Sequence, residues 1–201
     1  MMMLNDKQRD ALIELINIAF GRAASSLSEL TGHRVLINVP KVEIFSINEL
    51  IPALGNFIKG DIATVHQIFA GQVSGDAMLI LDYDGALTLT NLLTDETIPS
   101  QHINTSAREV LVEVGNILLN ACLGTFGNML QVHITFSVPR LHLSDLDTML
   151  GSLVIGKEEI RYALLVTTKF QLKDSQIGGY LVIVLGVASL DRLIHSIEKL
   201  G

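Results

Sequence analysis

Residues 5–32, NDKQRDALIELINIAFGRAASSLSELTG, carry the pattern that decides the fold. Apolar side chains recur along this stretch at helical spacing, at Leu12, Ile13, Ile16, Phe20, Ala23 and Leu27. Asn5, with Gln8 three residues later, predicts a capping box at the start of a helix. Thr31-Gly32 predicts its end, because glycine tolerates the left-handed cap conformation. We therefore expect a long amphipathic helix from residue 5 to about residue 30.

The sequence after this helix alternates short apolar runs with turn residues, which is typical of strands joined by short connections. The run Arg34-Val35-Leu36-Ile37-Asn38-Val39-Pro40 predicts a strand. Ser46 is a suitable N-cap for a short helix at 46–54. Two more strands are expected at about 60–70 and 76–82. Asp82-Tyr83-Asp84-Gly85 then predicts a turn and N-cap before a helix at 86–93.

The second part of the chain repeats the first. After a polar joint at 94–105 we expect a helix at 106–130, strands near 133–143, 151–156, 160–170 and 178–186, and a final helix at 188–200. The residues that recur 99 positions later include Glu14 as Glu113, Asn17 as Asn116, Ile18 as Ile117, Val39 as Val138 and Pro40 as Pro139. We predict one domain over residues 1–201, made of two homologous halves at about 5–94 and 105–200.

Short turns join the predicted strands where helical crossovers would be needed for parallel pairing. The predicted fold class is therefore α+β, with a largely antiparallel sheet flanked by two long helices that are related by a pseudo-twofold axis. Because such a chain already contains its own twofold relation, it has less need to dimerise, and we expect a monomer.

Both long helices place carboxylates and a carboxamide on one polar face. In the first helix the spacing i, i+4, i+7 aligns Asp10, Glu14 and Asn17. The matching face of the second helix carries Glu109, Glu113 and Asn116. Small or polar residues continue both faces, namely Gly21, Ser25 and Ser28 in the first helix and Asn120, Gly124 and Gly127 in the second. We predict two exposed, flat polar stripes that another protein could approach closely.

A glutamate and an asparagine three residues apart on a helix are usually only solvated, and asparagine is a poor former of helix interiors. The repetition makes chance a poor explanation here. Each asparagine is followed 23 residues later by a proline, and the chain contains only four prolines. Glu14, Asn17, Glu113 and Asn116 are therefore the candidate functional residues.

This spacing resembles the signature of the CheC family, which includes CheC, CheX and FliY: Asp or Ser, three residues, Glu, two residues, Asn, twenty-two residues, Pro. The first copy is complete in Asp10, Glu14, Asn17 and Pro40. The second copy departs only at its first position, with Glu109, Glu113, Asn116 and Pro139. The resemblance extends over about residues 5–200 and includes the duplication.

The resemblance implies a CheC-like fold and a hydrolase, namely a protein phosphatase of two-component signalling such as chemotaxis. Its substrate would be the phosphoaspartate of a CheY-type response regulator. Asn17 and Asn116 would hold a water in line with the phosphorus, and Glu14 and Glu113 would pair with the lysine beside the phosphoaspartate. The chain would need no cofactor of its own, because Mg²⁺ would come with the response regulator.

The two carboxylates that flank the pairs also have structural explanations. Asp10 is a favourable negative charge in the early turns of a helix. Glu109 ends the pattern Ser106-Ala107-Arg108-Glu109, which fits a capping box. Both remain candidate site residues beside these roles.

Composition and charge argue against several other classes of protein. The net charge of −7 disfavours nucleic acid as a partner, and the six histidines show no metal-ligand spacing. Gly151, Gly156 and Lys157 have the spacing of a P-loop, but Glu158 follows where Ser or Thr is required. The longest stretch without Asp, Glu, Lys or Arg, 114–139, is interrupted by asparagines whose burial in lipid would be costly. The single cysteine, Cys122, is predicted to be a buried thiol, and we expect a cytoplasmic protein without membrane insertion.

A non-catalytic docking or adaptor protein is the alternative to the enzyme. Its partner would be the receptor-modifying deamidase CheD or a component of the flagellar switch. The intact glutamate–asparagine pairs favour the phosphatase. The sequence indicates neither which response regulator is the substrate nor which of the two pairs is more active.

Overall fold

The computed structural model describes residues 4–94, 103–154 and 161–199. The first half contains helix α1 (Asp6–Thr31), strand β1 (Val35–Ser46), helix α2 (Ile47–Gly55), strands β2 (Asp61–Gly71) and β3 (Gly75–Asp82), and helix α3 (Tyr83–Thr94). The second half contains helix α4 (Thr105–Leu130), strands β4 (Ile134–Phe136) and β5 (Arg140–Asp145), helix α5 (Leu146–Val154), strands β6 (Arg161–Leu172) and β7 (Ser175–Gly186), and helix α6 (Val187–Glu198). The predicted α+β class is confirmed.

The strands of the described residues form one antiparallel sheet in the order β1-β6-β7-β3-β2-β4, and β5 also pairs with β2. This order is symmetric about the β7–β3 pair. Strand β1 of the first half lies beside β6 of the second half, and β4 and β5 of the second half lie beside β2 of the first. Each half therefore supplies the edge strand for the inner strands of the other half.

The bounds of the elements in the first half repeat in the second half, at an offset of 99 residues from α1 to α2 and of 100–104 residues from β2 to α3. Helices α1 and α4 each contain 26 residues and begin 99 residues apart, and β1 covers the same span as β4 and β5 together. The pairing register of β1 shifts between Asn38 and Lys41, at the place where the second half breaks between Phe136 and Arg140. This repeated order supports the prediction of two homologous halves, which remains a prediction.

Helices cover the sheet on both faces. Alternate residues of β3 belong to two different cores, which lie on opposite faces because side chains alternate along a strand. Helices α1, α3, α4 and α6 bury the larger core, in which five residues of the predicted α1 stripe are at most 1% exposed: Leu12, Ile16, Phe20, Ala23 and Leu27. Helices α2 and α5 cover the smaller core, which contains Leu50, Leu54 and Met149.

The predicted caps of α1 are confirmed. The N–H of Gln8 donates to Asn5 Oδ1 (2.8 Å), and the N–H of Asn5 donates to Gln8 Oε1 (2.9 Å). At the other end Gly32 has a φ of 69°, in the left-handed region that glycine adopts without strain. Asp82 also acts as the predicted cap, since the N–H of Gly85 donates to its Oδ1. Helix α3 begins at Tyr83, earlier than the expected residue 86.

The predicted capping box at the start of the second long helix is wrong. The N-cap is Asn104, whose Oδ1 accepts a hydrogen bond from the N–H of Ala107 (2.8 Å). Ser106 therefore already lies in the first turn of α4. Glu109 is exposed and has no capping role.

The predicted strand at 151–156 is also wrong: residues 151–154 end helix α5, and residues 155 and 156 lie outside the described part. Asp145 starts this helix, because its carboxylate accepts hydrogen bonds from the hydroxyl (2.7 Å) and the N–H (2.8 Å) of Thr148. These two bonds hold the pKa of Asp145 below its usual value. A short apolar run does not distinguish a strand from a buried helix, and here the cap and the packing of Met149 favour the helix.

Two other strand predictions need correction in their bounds. The first strand, expected at 34–40, continues through the register shift to Ser46. The strand expected near 133–143 is divided into β4 and β5.

Helix α4 is the most apolar long helix of the described residues. By length and composition it could cross a membrane, and half of its most apolar 18-residue window is buried inside the fold. Cys122 lies in this buried part with 0% exposure, and burial raises the pKa of its thiol to about 12. The prediction of a buried thiol is confirmed.

Gly115 lets α4 approach β2 closely. A Cβ atom at this position would clash with Val65, because it would lie 2.4 Å from Val65 Cγ1. We expect Gly115→Ala to lower the free energy of unfolding by about 1–3 kcal/mol, the range typical of overpacking. Gly124→Ala in the same helix is the matched control, because a Cβ there meets no atom within 4 Å. It should stabilise the chain by up to about 1 kcal/mol.

Urea unfolding of both variants measures this difference. If Gly115→Ala left the chain as stable as Gly124→Ala does, the result would contradict the close approach of α4 to β2.

The exchange of edge strands predicts that neither half folds alone. A fragment that ends at Thr94 retains β1 but not its partner β6, and it exposes the edge of β3 that pairs with β7. We expect fragments 1–94 and 95–201 to lack cooperative thermal unfolding by circular dichroism, and to recover it when mixed. Cooperative unfolding of either fragment by itself would show that the halves are independent domains.

Candidate functional site

The two long helices, α1 and α4, pack side by side on one face of the sheet. Glu14, Asn17 and Glu113 are exposed, and Asn116 is half-buried. Both glutamate–asparagine pairs therefore face outward, as expected from the helical spacing. The structure places one pair on each helix, 99 residues apart, at the same distance from the two helix starts.

In the first pair, the carboxamide is held by strand β1. Asn17 Oδ1 accepts a hydrogen bond from the backbone N–H of Val39 (3.2 Å). Val39 and Pro40 lie where the β1–β6 register shifts, so the N–H of Val39 is not part of the regular ladder. Proline has no N–H to lose at such an irregularity. In the first half, the register shift that contains Pro40 thus also provides the donor for Asn17.

In the second pair, the carboxamide is held by a neighbouring side chain. Asn116 Oδ1 accepts a hydrogen bond from Asn120 Nδ2 (2.8 Å), one turn further along α4. Ser137 lies between β4 and β5 and forms two hydrogen bonds to Ile68 of β2. Its N–H donates to the carbonyl oxygen of Ile68 (2.8 Å), and its hydroxyl accepts from the N–H of Ile68 (2.9 Å). Val138 is 81% exposed there, whereas its counterpart Val39 is 6% exposed.

The carboxylates beside both carboxamides are available to a partner. Among residues 4–94, 103–154 and 161–199, neither Glu14 nor Glu113 has an ion-pair or hydrogen-bond partner. The same holds for Asp10 and Glu109, both of which are exposed. Each long helix therefore presents two unpaired carboxylates, which would attract a cation on an approaching protein.

The flat stripes beyond the pairs are shorter than predicted. Gly21 and Gly124 border open space, since an added Cβ would meet no atom within 4 Å. Two other members of the stripes have structural roles. Ser28 Oγ accepts a hydrogen bond from the N–H of Val35 (2.9 Å), and Gly127 packs beside Ile134.

The pairs lie on a surface and not in a cavity. A cleft beside the first pair has a volume of about 660 Å³ and is formed by α1, the end of α4 and the end of α6. Ile18, Arg22, Gln131 and Lys199 are among its lining residues, and none of the four paired residues is. No group of three or more His, Cys, Asp or Glu side chains that could hold a metal ion occurs in the described part of the chain.

Sequence reasoning missed both hydrogen bonds that hold the carboxamides. The bond from Val39 depends on the tertiary position of β1, and the sequence carries no signal for it beyond the spacing to Pro40. The bond from Asn120 had a signal, since side chains at i and i+4 of a helix are neighbours. Two apolar side chains were also missed as surface features, Ile18 (47% exposed) and Val138.

Comparisons with known proteins show similarity to one family. Residues 8–44 match the model of the CheC-like family. The CheY-P phosphatase CheC of Bacillus subtilis is 22% identical over 199 residues, which cover 94% of this chain and 93% of that protein. The flagellar motor switch phosphatase FliY of the same organism is 23% identical over 181 residues, which cover 87% of this chain. The chain spans only 44% of the length of that FliY.

Solved structures share the fold. The crystal structure of Thermotoga maritima FliY superposes with a TM-score of 0.78 at 18% identity, covering 98% of this chain and 99% of that one. A chain of the CheX–CheY–BeF3–Mg²⁺ complex from Borrelia burgdorferi has a TM-score of 0.51 at 20% identity, covering 84% and 96%.

The matched segment 8–44 contains the first glutamate–asparagine pair, the strand residue that holds Asn17, and Pro40. The similarity to CheC and the shared fold cover nearly the whole chain. The chain thus resembles the CheC-like family in the segment that contains the first pair.

Proposed function

We propose that this protein is a phosphatase that hydrolyses the phosphoaspartate of a CheY-type response regulator. One observation carries the proposal: two glutamate–asparagine pairs face outward on adjacent helices at equivalent positions, each with its carboxamide held through Oδ1. A helix surface with unpaired carboxylates and anchored carboxamides suits a substrate that is itself a folded protein.

Asn17 and Asn116 are the water-positioning groups in this proposal. Each Oδ1 accepts one bond within the protein and keeps a second lone pair, while Nδ2 remains a donor. The carboxamide can therefore accept from and donate to one water without depending on a protonation state. Phosphoryl transfer depends mostly on positioning and charge stabilisation, which such a group supplies.

Glu14 and Glu113 are the docking groups. Each is exposed, unpaired in the described part of the chain, and one helical turn from its asparagine. Each would pair with the regulator lysine beside the phosphoaspartate. That contact would align the phosphoryl group with the water held by the asparagine.

The reaction itself is a hydrolysis. Water attacks the phosphorus, and the bond between phosphorus and the aspartate oxygen breaks. The aspartate leaves as a carboxylate, and the phosphoryl group keeps the oxygen and the protons of the water as inorganic phosphate. Mg²⁺ is expected on the regulator, where it would stabilise the charge of the phosphoryl oxygens, and this chain is proposed to add no metal. One preorganised group of this kind contributes about 2–4 kcal/mol, or roughly 10²–10³ in rate.

Names of relatives support this reading. Two relatives with similarity over most of this chain are named as phosphatases, one of them a phosphatase of CheY-P. A protein of the same fold was crystallised with CheY, BeF3 and Mg²⁺. We therefore propose a phosphorylated CheY-like regulator as partner and the cytoplasm as location. CheD remains a proposed second partner, and Asp10 and Glu109 receive no assigned role.

The central prediction concerns both asparagines. We expect Asn17→Ala/Asn116→Ala to abolish the acceleration of phosphate loss from an acyl-phosphorylated CheY-type regulator with Mg²⁺, because neither site can then orient the water. Asn48→Ala is the matched control: Asn48 is an exposed helical asparagine on α2, which covers the opposite face of the sheet. It should retain full activity. Full activity of the double variant would refute the assignment of these residues.

If the wild-type chain accelerates the decay of no regulator from the same cell, the adaptor alternative is favoured. The helix faces would then be docking surfaces. Co-purification with CheD or a flagellar switch component would identify the partner.

A second prediction concerns the docking carboxylates. Glu14→Gln/Glu113→Gln keeps the shape of both side chains but removes two negative charges. We expect kcat/KM to fall mainly through KM, and its dependence on ionic strength to weaken, because exposed ion pairs are screened by salt. Initial rates measured at several salt concentrations test this. An unchanged salt dependence would show that these glutamates do not meet a cation on the regulator.

A further inference from the structure

We propose that Asn120 is a positioning residue for Asn116, so that the equivalent carboxamides of the two sites are oriented by different hydrogen-bond donors. The inference rests on the proposed function and assigns to Asn120 a role in the second site that has no counterpart in the first.

The geometry of the asparagine pair is the first support. Asn120 Nδ2 donates to Asn116 Oδ1 over 2.8 Å, and both side chains are half-buried. Asn120 Oδ1 is buried and has no hydrogen-bond partner among the described residues. A buried acceptor without a partner costs stability, and asparagine is itself a poor residue for a helix interior. Stability alone therefore gives no reason for asparagine at position 120.

The first half of the chain provides the comparison. The position equivalent to Asn120 in α1 is Gly21, and a Cβ there would meet no atom within 4 Å. No side chain can therefore hold Asn17 from that position. Asn17 instead receives its hydrogen bond from the N–H of Val39, which the bulge of β1 leaves unused by the sheet.

This strand contact has no counterpart among the described residues of the second half. The strand is interrupted between β4 and β5. In this gap Ser137 forms hydrogen bonds to β2, and Val138 is exposed to solvent. Within the described residues, Asn116 Oδ1 has no backbone donor, and Asn120 occupies the role that Val39 has in the first site. The bond from Asn120 is local in sequence, because residues i and i+4 are neighbours on one helix face and do not depend on the conformation of the strand.

Anchoring Oδ1 has a direct consequence for catalysis. It fixes the plane of the Asn116 carboxamide, so that Nδ2 keeps one direction toward the attacking water. Without Asn120 the side chain samples several rotamers, and only a fraction of the population is oriented for attack. Loss of one such hydrogen bond is expected to lower kcat about 3- to 10-fold with little change in KM.

The test isolates each site in the full chain. Asn17→Ala leaves the second site, and adding Asn120→Ala should lower kcat about 3- to 10-fold there. Asn116→Ala leaves the first site, and adding Asn120→Ala should change neither kcat nor KM. The second background is the matched control, because it contains the same substitution and reports any effect on folding. Asn120→Asp, of equal shape but without a donor, should behave like Asn120→Ala in the first background.

Either of two results would overturn the proposal: an unchanged kcat in the Asn17→Ala background, or an equal loss in both backgrounds. A readout independent of activity is the side-chain amide spectrum by ¹⁵N NMR. One Asn120 Nδ2 proton should move upfield in Asn116→Ala, and an unmoved signal would refute the hydrogen bond. If the wild-type chain accelerates no regulator, the proposed function fails and the positioning role with it, while the same NMR shift would then identify a purely structural amide pair.

Discussion

The fold depends on the exchange of edge strands between the two halves. Strand β1 completes the second half's side of the sheet, and β4 with β5 completes the first half's side. Because every inner strand then has neighbours on both sides, the sheet buries two cores, and the long helices α1 and α4 come to lie side by side over one of them. Each helix carries one glutamate–asparagine pair and precedes the edge strand that its half contributes to the other half.

The same edge strands determine how each site is built. An edge strand has one unpaired side and tolerates irregularities that an inner strand does not. In β1 the irregularity is a register shift that releases one N–H toward Asn17. In the second half it is a complete break, and the side chain of Asn120 provides the missing donor. Equivalent sequence positions therefore produce two sites with the same outward groups and different supports.

The chemistry proposed for these sites needs little from the protein that carries them. The pairs lie on an open surface, and the described part of the chain offers no metal cluster. A regulator with its own phosphoaspartate, lysine and Mg²⁺ would bring most of the reacting groups. In the proposed reaction this chain would add a charge to align the complex and a carboxamide to orient the water. Exposed, unpaired carboxylates suit that task, because they lose their hydration only when the partner docks and supplies a cation.

Several features could be predicted from the sequence alone because they depend on local periodicity. The long helices, their exposed Glu14–Asn17 and Glu113–Asn116 faces and the cap at Asn5 all follow from spacing along the chain. The sequence wrongly predicts a strand where helix α5 ends, because a short apolar run carries no information about which neighbour will bury it. It also predicts the wrong N-cap for α4, because Ser106 and Asn104 are both good caps and only the packed helix selects between them.

Tertiary structure alone decided the strand exchange and the two supports of the carboxamides. The order β1-β6-β7-β3-β2-β4 joins residues far apart in sequence, and pairing of that kind depends on the burial of both cores at once. The bond from Val39 to Asn17 exists only because that pairing shifts in register beside the helix. The amino-acid sequence by itself thus determined which residues face outward, whereas the folded sheet determined what holds them in place, because long-range hydrogen bonds have no periodic signal in the chain.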